Sequence, residues 1–149
     1  MTGWTVRPAR LSEADAIVDL EARAFGPASW GAASVADGLT APHVATLIAY
    51  HDSAREAAGF VFWRSLGEEA EILSIGVAPR LRRRGGARAL LGEVIERARR
   101  DGVRKLFLEV DVGNTAAAAL YASQGFERIS LRKRYYKNGG DALVMRLDL

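Results

Sequence analysis

The chain has 149 residues, 49% of them hydrophobic and 26% charged, the mix of a soluble globular protein and not of a disordered, collagen-like or disulfide-stapled chain. It has no cysteine and two histidines, which excludes a thiol nucleophile, a zinc–thiolate site and a poly-histidine metal cluster. The net charge is +3, but residues 1–78 hold 5 basic and 10 acidic side chains, residues 79–105 hold 10 and 3, and residues 106–149 hold 6 and 5, so a concentrated basic block marks where an anionic ligand is expected.

The opening Met1-Thr2-Gly3-Trp4-Thr5 lacks a basic region followed by an apolar one, so no signal peptide is expected. No apolar run approaches a membrane span, and with cysteine absent the expectation is a cytoplasmic protein. Trp4–Pro8 reads as a first strand. Ser12 is placed to cap a helix, with Asp15 as the shorter-armed partner of a capping box. Ala14, Ile17, Val18 and Phe25 follow at helical spacing, and Gly26-Pro27 ends the helix. Ala32–Leu39 reads as a second short helix, stopped near Pro42. Val44–Tyr50 and Gly59–Leu66 form a hairpin around the polar turn Asp52–Glu56. Glu71–Val77 is a further strand, with Ile72, Ser74 and Gly76 on one face and Leu73, Ile75 and Val77 on the other, stopped by Pro79.

The clearest helix is Ala87–Arg100, where Ala87, Leu90, Leu91, Val94, Ile95 and Ala98 make one apolar stripe and Gly102 closes the last turn. Leu106–Val110 is a strand, Asn114 caps a helix over Thr115–Ser123, and Phe126–Lys133 and Ala142–Leu147 are final strands. The order β-α-α-β-β-β-α-β-α-β-β, without internal repeats or a linker, predicts one mixed α/β or α+β domain over residues 1–149.

Two stretches carry chemistry. The first is Val77-Ala78-Pro79-Arg80-Leu81-Arg82-Arg83-Arg84-Gly85-Gly86-Ala87-Arg88, between a strand and a helix. A helix N-terminus already carries partial positive charge, so Arg82, Arg83 and Arg84 there repel it unless an anion sits between them. Gly85 and Gly86 lack the Cβ that keeps a phosphate off the backbone. The loop matches neither a Walker A sequence nor Gly-x-Gly-x-x-Gly. A solvated basic loop is the alternative. The second is Leu106–Val110, which sets Phe107 and Glu109 on the face opposite Leu106, Leu108 and Val110. Glu109 reads as either an exposed ion-pair member or a functional carboxylate, Asn114 as a helix cap, and Tyr121 as either a core tyrosine or a functional one.

Arg82-Arg83-Arg84-Gly85-Gly86-Ala87 resembles the [Gln/Arg]-x-x-Gly-x-[Gly/Ala] signature of the GCN5-related N-acetyltransferases. Leu108-Glu109-Val110, Asn114, Ala118-Ala119-Leu120-Tyr121 and Gly125-Phe126 resemble the second motif of that family. Arg132-Lys133-Arg134-Tyr135-Tyr136 with Asp141–Met145, and upstream Leu20-Glu21, Phe25 and Trp30, are similar to its ribosomal-protein-alanine (RimI-type) subgroup. The resemblance implies a mostly antiparallel mixed sheet, splayed between its fourth and fifth strands and flanked by helices. It implies acetyl-CoA as cosubstrate, no metal, and direct transfer to an amine. Residue by residue, it implies Glu109 as general base and Tyr121 as general acid. Ile75, Gly76 and Val77 would hold the pantetheine arm, Arg82, Arg83, Arg84, Gly85, Gly86, Ala87 and Arg88 would surround the pyrophosphate, and Asn114 would contact coenzyme A. Trp30 and Tyr136 would border the acceptor groove. The acceptor implied is the N-terminal amine of a protein, in this subgroup a ribosomal one.

Two departures stand out. Gly26-Pro27-Ala28-Ser29 lengthens the stretch before Trp30, and Gly86-Ala87 changes the usual order of small residues in the loop. The alternatives left by the sequence are a lysine or small-molecule amine, including an antibiotic, as acceptor; a coenzyme A sensor without turnover; and an RNA- or ribosome-binding module using the basic block. The run Arg132–Lys137 mixes aromatic and basic residues but forms no RNA-binding motif, so nucleic acid is not expected as a direct substrate. A monomer is the favoured state.

Overall fold

The computed structural model describes residues 3–136 and 138–149. Met1 and Thr2 at the start, and Lys137 at the end of the basic–aromatic run, lie outside the described residues. In chain order the elements are β1 (Trp4–Pro8), α1 (Ala14–Phe25), α2 (Ala32–Thr40), β2 (Val44–His51), β3 (Gly59–Leu66), β4 (Glu69–Val77), α3 (Gly86–Arg100), β5 (Lys105–Asp111), α4 (Thr115–Ser123), β6 (Glu127–Arg132) and β7 (Ala142–Asp148). The order matches the sequence expectation, with most ends shifted by two residues or fewer.

The start of α1 corrects a local reading. Ser12 does not cap α1; it lies inside a short 3₁₀ turn, Leu11–Glu13, and Glu13 accepts the Arg10 backbone N–H at 2.8 Å. The carboxylate reaches further than a serine hydroxyl and also meets Arg7 at 2.7 Å.

All strands join one sheet in the order β1-β2-β3-β4-β5-β7-β6. Every neighbouring pair is antiparallel except β4–β5. That parallel pair runs only from Glu69↔Lys105 to Glu71↔Phe107, and beyond it the two strands separate.

The separation begins at a β-bulge. β3 pairs Phe62 with Ser74 and Trp63 with Ile72, which leaves Leu73 as an extra residue on β4. A bulge bends its strand and raises the local twist, here just after the last β5 pair. It also overturns the expected alternation. Ile72, Ile75 and Val77 belong to one core and Leu73 to the other, because one extra residue exchanges the faces of everything after it.

The two cores lie on opposite sides of the sheet. The larger packs α3 and Tyr121 of α4 against Leu47, Val61, Trp63, Leu106, Leu108, Met145 and their neighbours. The smaller packs Ile17 and Leu20 of α1 and Val35 of α2 against Ile48, Phe60 and Phe62. Among the described residues, no helix is long and apolar enough to cross a membrane, and no cluster of three or more His, Asp or Glu is arranged to hold a metal ion.

Candidate active site

The gap between β4 and β5 has two lips. On the β4 lip, Ile72–Val77 has no strand partner among the described residues on the side facing β5. Its backbone hydrogen-bonding groups on that side are therefore open to a ligand. Ile75 and Val77 turn their side chains into the larger core. Gly76 has a packing reason of its own: a Cβ there would lie 2.8 Å from Phe60 and 3.2 Å from Ala24. The backbone of this segment, with the partly exposed Ser74, is what remains for a cofactor.

The basic loop follows. The α3 N-terminus has no side-chain cap and no acidic residue in its first turn, whereas α4 is capped by the Asn114 side chain, which accepts the Ala117 N–H at 3.2 Å. Among the described residues the first N–H groups of α3 are thus unmet, and those of Gly86, Ala87 and Arg88 are the donors an anion would use.

The two loop glycines have separate reasons. Gly85 has φ +86° with nothing within 4 Å of a built Cβ, so it supplies a left-handed turn facing open space. Gly86 faces inward, where a Cβ would lie 2.7 Å from the Trp4 ring; packing against β1 accounts for it, and no approach of phosphate is needed. Arg83 also has positive φ, 63°. Arg82 is turned away from the loop, donating to the Ala24 carbonyl at the end of α1 at 2.8 Å. Arg88 points across to α4, 3.4 Å from the Ser123 hydroxyl. Of the predicted cationic set, Arg83 and Arg84 have no side-chain hydrogen bond or ion pair among the described residues.

On the β5 lip, the Glu109 side chain is 19% exposed and lies 3.4 Å from Arg132 of β6. The Arg132 guanidinium stands 5.6 Å over the Tyr135 ring, and the Tyr135 and Tyr136 rings meet edge-on at 5.0 Å. Interaction with Glu109, followed by burial, holds the Tyr135 hydroxyl above its ordinary pKa. Tyr136 is pushed up to about 12, first by burial and then by Asp111, Glu109, Tyr135 and Tyr121. Tyr121 is 7% exposed, packs edge-on against Phe126, and is pushed up to about 12 by burial alone. It is a phenol that stays protonated across the physiological range, as a proton donor must. Glu109, Tyr121 and Tyr136 thus gather at the C-terminal end of β5.

A hollow of about 280 Å³ opens beside them, lined by Arg64, Glu71, Phe107, Glu109, Arg132 and Val144 among others. A larger one, about 510 Å³, is bordered by Arg10, Leu47, Trp63, Arg97 and Arg100 and includes none of the predicted residues. Trp30 lines neither hollow. It is 38% exposed and tilts over Phe62 at 5.5 Å, on the strand next to β4.

Three residues have roles the sequence reading did not assign, although Tyr135 and Glu21 stood in its family-like runs. Tyr135, not only Tyr136, faces Glu109. Glu71 pairs with Arg64 in the hollow beside Glu109. Glu21, 1% exposed, is the one buried charged side chain among the described residues. Its carboxylate accepts the Ser29 hydroxyl and, at 2.7 Å, the Trp30 N–H, so it ties the lengthened stretch before Trp30 to α1. Its signal was present: Glu21 continues the Ile17–Leu20 stripe at the i+4 position, which turns it inward.

The two lips divide the labour of a group transfer. One offers unmet N–H donors and positive charge, the other a carboxylate and, at Tyr121, a buried phenol. This is the layout of an acyl-transferring enzyme. Residues 14–126 match the model of the acetyltransferase (GNAT) family, and the chain belongs to that family. It is 39% identical over 150 aligned positions to the N-alpha-acetyltransferase RimI of Mycobacterium tuberculosis, covering 93% of this chain and 89% of that one. It is 38% identical over 95 positions to the ribosomal protein bS18-alanine N-acetyltransferase of Escherichia coli, over 62% of this chain and 64% of that one. The crystal structure of the ribosomal-protein-S18-alanine N-acetyltransferase from Escherichia coli superimposes with a TM-score of 0.88 at 30% identity, covering 97% of this chain and 93% of that one.

Proposed function

We propose that residues 1–149 form one acetyltransferase domain that moves the acetyl group of acetyl-CoA to the N-terminal amine of a protein, a ribosomal protein being the acceptor favoured by the named relatives. The observation that carries this reading is Glu109. It is a half-buried carboxylate at the open gap, lining a hollow of about 280 Å³ beside an uncovered stretch of sheet.

The residues fit acetyl-CoA. The uncapped α3 start and the open side of Gly85 form a cradle for a diphosphate, and the unpaired β4 backbone has free hydrogen-bonding groups for an amide-bearing arm. Acetyl-CoA supplies an activated thioester acetyl group. The chain supplies the rest. The acceptor must be neutral to attack. An α-amine, with pKa about 7.7–8.0, is neutral in roughly a tenth of molecules at pH 7, against less than about a thousandth for a lysine. Glu109 takes the proton lost by the amine, directly or through one water. A β4 backbone N–H stabilises the charge that develops on the carbonyl oxygen. Tyr121, held protonated, gives its proton to the departing sulfur. Asn114 spends its carbonyl oxygen on the helix cap and keeps its amide N–H groups for the cofactor.

The test is incubation with acetyl-CoA and a library of peptides with free N-termini, read by mass spectrometry. Acetylation confined to α-amines is the expected result. Acetylation only at internal lysines overturns the acceptor reading, and no acetylation with measurable acetyl-CoA binding favours a sensor.

A further inference from the structure

The indole of Trp4, on edge strand β1, sits beneath the basic loop some 80 residues away along the chain. Its Nε1–H donates to the Arg84 carbonyl at 2.8 Å. Its ring fills the space beside Gly86, where a Cβ would come within 2.7 Å. The ring is held in turn by His51 on β2, edge-on at 4.9 Å. Arg84 lies between Arg83 at φ +63° and Gly85 at φ +86°. Two left-handed residues so close are not a conformation a free loop keeps, and a non-glycine residue there costs on the order of 1–2 kcal/mol. Something must hold it.

The peptide unit links the two sides of the loop. The Arg84 carbonyl and the Gly85 N–H belong to one planar trans peptide and point in opposite directions. A hydrogen bond that draws the carbonyl inward to Trp4 therefore aims the Gly85 N–H outward, away from the ring. Consecutive N–H groups turned outward by left-handed residues make a concavity for anions, and the α3 start adds its own unmet donors.

We propose that Trp4 is a positioning residue for the diphosphate of the acyl donor, acting through the Arg84–Gly85 peptide. The inference rests on the acetyl-CoA reading given above. It extends that reading by making the N-terminal strand part of the donor site.

The experiment compares two acyl donors, acetyl-CoA and S-acetylpantetheine, which carries the same thioester arm without a diphosphate. Trp4→Phe keeps a ring and removes the donor. It should weaken acetyl-CoA binding, measured by calorimetry, about three- to tenfold, the range of a net neutral hydrogen bond. It should leave kcat/KM for S-acetylpantetheine at the wild-type value. Gly86→Ala, which pushes against the ring from the other side, should weaken acetyl-CoA in the same selective way, and less so when combined with Trp4→Leu. Gly86→Ala also answers the question if the Trp4 variants do not fold. Unchanged acetyl-CoA affinity in Trp4→Phe and Gly86→Ala overturns the inference while leaving the acetyltransferase reading intact. So does an equal loss for both donors, which marks a general loss of structure. A wild-type protein that binds no acetyl-CoA overturns the reading beneath it instead.

Discussion

On the side of the sheet away from α3, the strands β2, β3 and β4 are roofed by α1 and α2, while β5, β7 and β6 contribute nothing to that core. The roofed half buries Phe60, Phe62 and Ile48 completely. The other half leaves all six residues of β6 exposed, Ile129 and Leu131 among them, and pairs Glu109 of β5 with Arg132 of β6, beside the Arg64–Glu71 ion pair on the adjoining ends of β3 and β4. Apolar burial contributes roughly 25 cal/mol per Å², so a half-sheet left uncovered forgoes stability that the covered half collects. The difference is explained if the open half is where the acceptor chain lies. Substitutions should then separate cleanly, with rate lost on one half and stability on the other.

The largest expected effects belong to Glu109 on the open half and to Tyr121, which α4 brings to the same end of β5 from the other side of the sheet. Glu109→Gln keeps the size of the side chain and removes the proton acceptor, and should lower kcat about 10²–10⁴-fold with acetyl-CoA affinity and melting temperature close to wild type. Tyr121→Phe should act in the same direction. Because burial raises Tyr121 to about 12, the wild-type rate should stay level between about pH 9 and pH 11, where an ordinary tyrosine, with pKa about 10, would already be losing its proton. Steady-state kinetics with an N-terminal peptide, alongside calorimetry, tests all of this. Near-normal turnover in both variants removes the catalytic assignment.

Next comes the roofed half. Ile48 is fully buried between α1, α2 and the sheet, and Ile48→Ala should cost about 2–5 kcal/mol of stability. The rate per folded molecule should hold. Urea unfolding and active-site titration separate the two quantities, and a fall in kcat at full folding would mean that the halves are coupled. Glu21→Ala is milder and cuts between them. It leaves the Trp30 N–H and the Ser29 hydroxyl without their acceptor, at about 1–3 kcal/mol. Since Trp30 borders the proposed acceptor groove, KM for the peptide should rise more than KM for acetyl-CoA.

The same division explains what the sequence made legible. The roofed half and the α3 face announce themselves by periodicity: the stripe from Ala87 to Ala98 and the alternation in β2 and β3 are burial patterns, and burial is what patterning encodes. The β4 bulge was invisible, because alternation predicts which face a residue takes only while each residue has one partner, and Leu73 has none. The site was legible in part, through the basic loop and the lone carboxylate of β5. Three contacts depended on pieces of chain far apart in sequence: Trp4 beneath Gly86, Arg82 on the Ala24 carbonyl, and Arg132 beside Glu109. No local pattern records these. Gly86 shows the cost, since a glycine beside a phosphate-type loop reads as a phosphate glycine until the tryptophan that fills its space is seen.

The smallest effect belongs to the outer corner of the roofed half, where α1 begins. Glu13 accepts two hydrogen bonds from Arg7 of β1, at 2.8 and 2.7 Å, one from the Tyr50 hydroxyl of β2 at 2.8 Å, and one from the Arg10 N–H, fastening the roof to the sheet edge. The Arg7 hydrogen bonds lead the influences that lower its pKa from 4.5 to about 2, with burial opposing them. The sign follows from linkage. A carboxyl held lower in the folded than in the unfolded chain contributes its stability fully above the unfolded pKa, and loses it as pH falls through the folded one. Melting temperature should therefore lose this contribution progressively between pH 4.5 and about 2, while above that window the pair adds no slope. Glu13→Gln should start from a lower melting temperature at neutral pH and fall less steeply on acidification. Parallel curves for the two proteins across that window would show that α1 is held by its apolar face alone, through Ile17 and Leu20, and that the ion pair is incidental to the roof.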